Sequence, residues 1–152
     1  MADERTKREI LASSPLFESL MSHEFAMLAD LFSVREMDAG DVVFAEGDLG
    51  DALFVIAEGT FEVLRHNASG KERLLAELEA PAFFGEMSLI DKAHRSATIR
   101  AKTDAKLLQL TNANLHVFAK NHRNGFTWVV VNIARALSKR LRLANQQLSE
   151  VP

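Results

Sequence analysis

The sequence has no cysteine and no long apolar run among its 152 residues. Without cysteine the chain can form neither a disulfide framework nor a thiolate metal site, which is consistent with a reducing cytosol. No apolar stretch approaches the roughly 18 residues needed to cross a bilayer, and the charged start MADERTKREI lacks the apolar core of a secretory signal. We therefore expect a cytoplasmic protein with no membrane segment.

Signatures of common catalytic and cofactor sites are also missing. The glycine patterns of nucleophile elbows, Walker loops and Rossmann folds do not occur, and Ser88 and Ser96 have no histidine partner that the sequence supports. The five histidines are scattered without metal-ligand spacing, which argues against a metal-dependent enzyme on a barrel. A net charge of −3 gives no general attraction to nucleic acid or acidic lipid. We predict no enzyme activity, no catalytic residue, no metal and no cofactor.

Glycine and proline are scarce, and most glycines lie between Gly40 and Gly85. The length suits one domain over residues 1–152. Before the glycine-containing middle, Ser14-Pro15 ends a first helical segment, and Ser22 is predicted as the N-cap of a second helix.

The period of the apolar residues changes to that of strands from Val34 to Leu110. Turn signals separate short apolar runs; among them, Glu58-Gly59 predicts a tight hairpin, and Asn67 to Gly70 predicts the next hairpin. The pattern predicts an α+β fold, an antiparallel β-roll at about 34–111, jelly-roll-like (a double-stranded β-helix), flanked by N-terminal helices and a long C-terminal helix. The runs are Val42–Phe44, Leu53–Ile56, Phe61–Leu64, Leu74–Leu78, Ala97–Ile99 and Leu107–Leu110.

Helical spacing returns at about 112–148. Thr111 or Asn112 is predicted to cap a short helix, and residues 121–125 are predicted to break it. An a/d seam then continues for about three heptads, which is compatible with intramolecular core or with a dimer, and we favour a homodimer. The seam is Phe126, Val130, Ile133, Leu137, Leu141, Ala144 and Leu148. Its basic flank, read as a solvated face, is Arg135, Lys139, Arg140 and Arg142.

The segment from Phe83 to Ile99 predicts a binding site. Gly85 allows close backbone approach to a ligand, and the next residues can form a helical turn whose free N–H groups face an anion. Arg95 follows with a guanidinium suited to phosphate, whereas the carboxylate of Glu86 suits a sugar hydroxyl. The residues describe a sugar-phosphate pocket; the alternative is that Glu86 and Arg95 form a structural ion pair.

The same segment, FGEMSLIDKAHRSATI, resembles the phosphate-binding cassette of the cyclic-nucleotide-binding domain family, which includes the protein kinase A regulatory subunit and the bacterial catabolite activator protein. The upstream residues 39–59, with their glycine punctuation, resemble the family's β-roll. The resemblance implies that Glu86 binds the ribose 2′-OH and Arg95 the cyclic phosphate, and that the last helix acts as a lid and dimer seam. It places Asn145, after Ala144, near the base. The remaining implied ligand-binding residues are Gly85, Met87, Ser88, Ser96 and Ala97.

The resemblance implies a sensor for cAMP or cGMP that signals to a downstream protein by movement of its last helix. Ser96 leaves cGMP open, because a hydroxyl there can reach a guanine amino group. DNA-binding members continue into a helix-turn-helix; here only Ser149 to Pro152 remain, so we expect no DNA binding by this chain alone. The alternatives are a nucleotide-independent dimeric interaction module and the ligand domain of a truncated transcription regulator.

Overall fold

The computed structural model, which describes residues 2–90 and 94–149, confirms an α+β fold built on an antiparallel β-roll. Each of two sheets contains four strands among the described residues. The strands are β1 (Ser33–Met37), β2 (Val42–Phe44), β3 (Ala52–Glu58), β4 (Thr60–His66), β5 (Glu72–Glu79), β6 (Phe83–Phe84), β7 (Thr98–Ala101) and β8 (Ala105–Thr111). One sheet has the order β1-β8-β3-β6 and the other β2-β7-β4-β5. The apolar runs predicted neither β1 nor β6.

One predicted hairpin is confirmed and one is wrong. Residues 67–71 join β4 to β5, which pair with each other over their whole length. By contrast, β3 and β4 lie in different sheets, so Glu58-Gly59 is a crossing turn. The register of β3 shifts between Ile56 and Glu58, and Gly59 then takes a positive φ of 88°, which directs the chain to the second sheet.

Helices lie at both ends of the roll. They are α1 (Ala2–Ala12), α2 (Ser22–Asp30), α3 (Met87–Ile90), α4 (Asn112–Asn121) and α5 (Arg123–Ser149), with a 3-10 turn at Pro15–Phe17. Thr111 caps α4 by accepting from the Asn114 N–H. Ser22 is not an N-cap: Met21 holds that position, and its N–H donates to Glu24 Oε1 at 3.0 Å.

The predicted break over 121–125 shrinks to a single residue, His122, between α4 and α5. Gly125 is buried inside α5 and is required by packing. A Cβ there would come within 2.8 Å of the Phe118 ring and 2.9 Å of the Glu24 carboxylate. The glycine therefore lets α5 approach α4 and α2 closely.

Strand β3 is the wall between two hydrophobic cores. Ala52, Phe54 and Ile56 face the interior of the roll. The alternate residues Leu53 and Val55 pack against the helices. Because successive side chains of a strand point to opposite faces, a strand buried on both faces reads as a continuous apolar run.

The first half of α5 is anchored to the domain. Ile133 is buried in the helical core, and Asn132 Nδ2 donates to the carbonyl oxygens of Leu16 and Glu18 at 2.9 and 2.8 Å. From Ser138 to Ser149 every residue of α5 is exposed. The a/d seam is thus split, with Ile133 inside and Leu141 62% exposed. None of the helices in the described ranges is long and apolar enough to span a membrane.

Two turn glycines allow a test of this fold. Gly59 and Gly70 both have positive φ, but a Cβ at Gly59 would lie 2.6 Å from Ala105 Cβ, whereas a Cβ at Gly70 would meet nothing within 4 Å. We expect Gly70→Ala to cost about 1–2 kcal/mol of unfolding free energy from the left-handed backbone. Gly59→Ala should cost about 1–3 kcal/mol more, from overpacking. Urea denaturation measures both, and equal losses would contradict the close packing at the crossing turn.

Candidate functional site

The chain that leaves β6 folds back onto the β2–β3 connection. Gly85 has a positive φ of 81° and redirects the backbone into α3. On the return, the Gly47 N–H donates to the Arg95 carbonyl at 2.8 Å, and the Arg95 N–H donates to the Asp48 carbonyl at 2.6 Å. Leu49 and His94 form an isolated antiparallel bridge. These bonds place Arg95 beside the start of α3; residues 91–93 of the predicted cassette lie outside the described residues.

The Arg95 guanidinium is buried, with only 8% of the residue exposed. Nη1 donates to the Gly85 carbonyl at 3.1 Å and Nη2 donates to the Ala52 carbonyl at 2.9 Å. Among the described residues no carboxylate lies within ion-pair distance of it, and its Nε has no hydrogen-bond partner. The positive charge is therefore only partly compensated by carbonyl dipoles, and the guanidinium keeps an unused N–H donor at Nε.

The surroundings of Arg95 have two opposing effects on its pKa. Burial lowers the pKa of Arg95, and the negative charges of Asp51, Glu86 and Asp48 oppose that shift. An arginine guanidinium does not lose its proton in proteins, so the group stays charged at neutral pH. Its guanidinium carbon also lies 4.0 Å from the centroid of the Phe44 ring.

Glu86 is buried, but its ion-pair partner is Arg140. Arg140 Nη1 donates to Glu86 Oε1 at 2.6 Å, and Nη2 donates to the Phe83 carbonyl at 3.0 Å. The Arg140 guanidinium also lies 4.9 Å from the centroid of the Phe83 ring. The alternative of a structural Glu86–Arg95 ion pair is therefore wrong, and Arg140 does not belong to a purely solvated face. It joins α5 to the segment before α3.

A cavity of about 380 Å³ opens between these groups. Every predicted ligand-binding residue except Asn145 lines it. The lining comprises Phe44, Val63, Leu78, Phe83, Phe84, Gly85, Glu86, Met87, Ser88, His94, Arg95, Ser96, Ala97, Ile99 and Arg140. One buried cation, one buried carboxylate and an apolar wall thus face a volume typical of small-molecule sites. In the described part of the chain, no group of three or more histidine, aspartate or glutamate residues could hold a metal ion.

Ser88 supports the backbone of the site with its side chain. The buried hydroxyl donates to the Gly85 carbonyl at 2.9 Å and lies 3.3 Å from the Ala52 carbonyl. From the other side, Asn112 Nδ2 donates to the Ser88 carbonyl at 3.2 Å. The start of α4 therefore helps to fix α3.

Asn145 is exposed on α5, more than one turn beyond Arg140, and does not line the cavity. Ala144 is exposed as well and does not line the cavity. The contact of Asn145 with the base remains a prediction from the resemblance.

Three residues of the site carried no signal in the sequence that pointed to it. Phe44 reads as an ordinary strand residue, and Arg140 as one basic residue among several on α5. Gly50 leaves the room that Arg95 occupies: a Cβ there would lie 2.8 Å from the guanidinium carbon and 2.9 Å from Nε. All three are distant in sequence from the cassette, so no local spacing could have identified them.

Comparison with known proteins identifies the family. Residues 34–122 match the family model described as "Cyclic nucleotide-binding domain". The chain is 36% identical over 138 residues to the cyclic AMP receptor protein of Thermus thermophilus, covering 91% of this chain and 62% of that protein. It is 33% identical over 114 residues to a cAMP-dependent protein kinase regulatory subunit of Mycosarcoma maydis, covering 74% of this chain and 22% of that protein.

Solved structures agree. The crystal structure of the N-terminal domain of a transcriptional regulator from Streptomyces coelicolor superposes with a TM-score of 0.77 at 34% identity, covering 86% of this chain and 94% of that domain. The chain therefore belongs to the cyclic nucleotide-binding domain family. It spans 62% of the length of the receptor protein and 22% of the kinase regulatory subunit. By their names, these relatives are a cyclic AMP receptor protein, a kinase regulatory subunit and a transcriptional regulator.

The Glu86–Arg140 pair makes a measurable contribution to stability. We expect Arg140→Ala to lower the free energy of unfolding by about 1–2 kcal/mol, because it leaves a buried carboxylate without its donor. The loss should stay below the ~3–5 kcal/mol of a fully buried pair, since the Arg140 side chain is 46% exposed. Arg142→Ala is the control, because the described contact of Arg142 is a hydrogen bond to Ser138 on the same helix. Urea denaturation decides; equal effects of the two variants would contradict a structural role for the pair.

Proposed function

We propose that this chain is a sensor domain that binds cAMP or cGMP in the cavity between the cassette and α5. One observation carries the proposal. A buried guanidinium that has no carboxylate partner among the described residues and a buried carboxylate line the same cavity. Burying a charge is costly unless it is compensated, and an anionic ligand provides the compensation that the described residues do not.

In this proposal Arg95 binds the cyclic phosphate. A guanidinium has five N–H donors, and carbonyl oxygens of Gly85 and Ala52 accept from two of its nitrogens. The remaining donors suit phosphate oxygens. The amides after Gly85, including those of Met87 and Ser88, and the residues Ser96 and Ala97 after the arginine would complete the phosphate site.

Glu86 would accept a hydrogen bond from the ribose 2′-OH. Oε1 of the carboxylate accepts from Arg140, and a carboxylate has acceptor capacity for further donors. A ribose hydroxyl bound at Glu86 and the Arg140 side chain of α5 would donate to the same carboxylate. Ligand occupancy and the position of α5 would thereby be linked, which supports signalling by movement of the last helix to a downstream protein.

The expected size of this conformational shift is limited. Moving a two-state equilibrium from 1:99 to 99:1 takes about 5.5 kcal/mol of differential affinity, whereas a micromolar ligand binds with only about 8 kcal/mol in total. Most of that free energy would have to discriminate between helix positions. We therefore expect a partial shift of α5.

Calorimetric titration tests the binding site. We expect the wild-type chain to bind cAMP or cGMP and Arg95→Ala to bind about 10- to 150-fold more weakly, using ~1.5–3 kcal/mol for a charge-assisted hydrogen bond. Arg100→Ala is the matched control: it removes a guanidinium from β7 that pairs with Glu62 and Glu72 and does not line the cavity. The ratio of the two nucleotide affinities gives the base preference.

An absence of heat and of thermal shift with both nucleotides at millimolar concentration would overturn the sensor proposal. The nucleotide-independent interaction module would then be the better description. An equal loss in Arg95→Ala and Arg100→Ala would overturn the assignment of the phosphate to Arg95.

We further propose that the exposed half of α5 forms a homodimer. Leu141 and Leu148, which share the a/d seam, are 62% and 71% exposed. A helix that presents such a stripe to water buries it favourably against an identical stripe.

Substitution on and off the seam tests the dimer. We expect Leu141→Lys to convert the dimer to a monomer in light scattering, because it places a charge in the apolar seam. Leu143→Lys should leave the dimer intact, since Leu143 is 51% exposed on the same helix but lies outside the seam. A monomeric wild type, or equal effects of the two substitutions, would contradict this arrangement.

The longer proteins to which the chain is similar are named as a receptor protein and as a kinase regulatory subunit, and these names point to different partners and pathways. We propose a cytoplasmic regulatory role for this domain, without catalysis by its own residues. The described cavity supports ligand binding through one cation, one carboxylate and backbone amides.

A further inference from the structure

We propose that Phe44 is a positioning residue for Arg95: its ring fixes the guanidinium that binds the cyclic phosphate, and Gly50 supplies the space for that guanidinium. The proposal rests on the phosphate-binding role proposed above for Arg95. Within the described ranges, this buried cation is held in place without a carboxylate. Three observations support the proposal.

The first observation concerns direction. The two hydrogen bonds from Arg95 to the carbonyls of Gly85 and Ala52 lie near the guanidinium plane, because its N–H groups are coplanar. They constrain motion within that plane. The Phe44 ring, with its centroid 4.0 Å from the guanidinium carbon, adds a contact with an aromatic face that the two hydrogen bonds do not provide. Together the three contacts restrict the orientation of the guanidinium more than the hydrogen bonds alone.

The second observation is that the ring itself is held. The Phe44 ring lies 5.9 Å from that of Phe54 and 5.8 Å from that of Phe84, centroid to centroid, and the latter two stack at 5.2 Å. Phe44 also pairs with Ile99 of β7, the strand that follows the cassette. Phe44 on β2 thus lies beside β7, and Arg95 precedes β7 by three residues.

The third observation is that Gly50, which has no side chain, leaves the room that the guanidinium occupies. A Cβ at this position would lie 2.8 Å from the guanidinium carbon and 2.7 Å from Ser88 Cβ, closer than atoms can approach. Any side chain there would displace Arg95 or α3. The site therefore combines an aromatic contact that attracts the cation with a bare backbone that admits it.

Ligand affinity provides one test. A cation–π contact of about 0.5–2 kcal/mol corresponds to a loss of roughly 2- to 30-fold in cyclic nucleotide affinity for Phe44→Leu, and Phe44→Tyr should restore wild-type affinity. Phe61→Leu is the control, because Phe61 belongs to the same core but does not line the cavity. In an Arg95→Ala background, Phe44→Leu should have no further effect. Gly50→Ala should weaken binding at least as much as Phe44→Leu.

The Nε–Hε signal of Arg95 in proton–nitrogen NMR, assigned by its loss in Arg95→Ala, gives a test that needs no ligand. We expect it shifted upfield by the Phe44 ring in the wild type and in Phe61→Leu, and returned toward the ordinary position in Phe44→Leu. A wild-type signal at the ordinary position would overturn the proposal without any substitution at Phe44, whatever the variants do.

The two tests separate this proposal from the proposed function. A shifted wild-type signal with no binding of either nucleotide would overturn the sensor function and leave the positioning of Arg95 intact. Normal binding by both Phe44→Leu and the wild type would overturn the positioning role and leave the sensor function intact.

Discussion

The site depends on the burial of one positive charge, that of Arg95, with no carboxylate in contact with it among residues 2–90 and 94–149. Transfer of an uncompensated charge into a protein interior is strongly unfavourable, and here two backbone carbonyls and an aromatic face offset part of that cost for Arg95. Those carbonyls must be held in place, and one of them belongs to Gly85, whose backbone is left-handed. The burial of the cation therefore requires the backbone conformation of the cassette.

The second charged group of the site connects it to the last helix. In the part of the chain that the structure describes, Arg140 of α5 is the cationic partner of the buried Glu86 carboxylate. The same helix is fixed two turns earlier by Asn132, which binds two carbonyls at the N-terminal end of the chain. Helix α5 is thus held firmly at Asn132 and through a partly exposed ion pair at Arg140. A change at Glu86 can alter the ion pair while the part of the helix around Asn132 stays docked.

The sequence was sufficient for the roll and the flanking helices, because each has a local signal: alternating or continuous apolar runs, glycine turns and helical spacing. It was insufficient where contacts join distant segments. The partner of Glu86 lies 54 positions away, and nothing near Arg140 distinguishes it from Arg142. The crossing turn at Gly59 was mistaken for a hairpin, because a tight turn between two strands has the same local pattern whether they pair or enter different sheets.

Strand β3 is shared by the two hydrophobic cores. Its odd and even side chains belong to different cores, and Phe54 of this strand contacts the aromatic cluster under the ligand cavity. Since protein interiors are densely packed and have little free volume, neither compartment can expand without moving the backbone they share. Substitutions among the helices, far from any ligand atom, are therefore expected to alter nucleotide affinity through a displacement of this common partition.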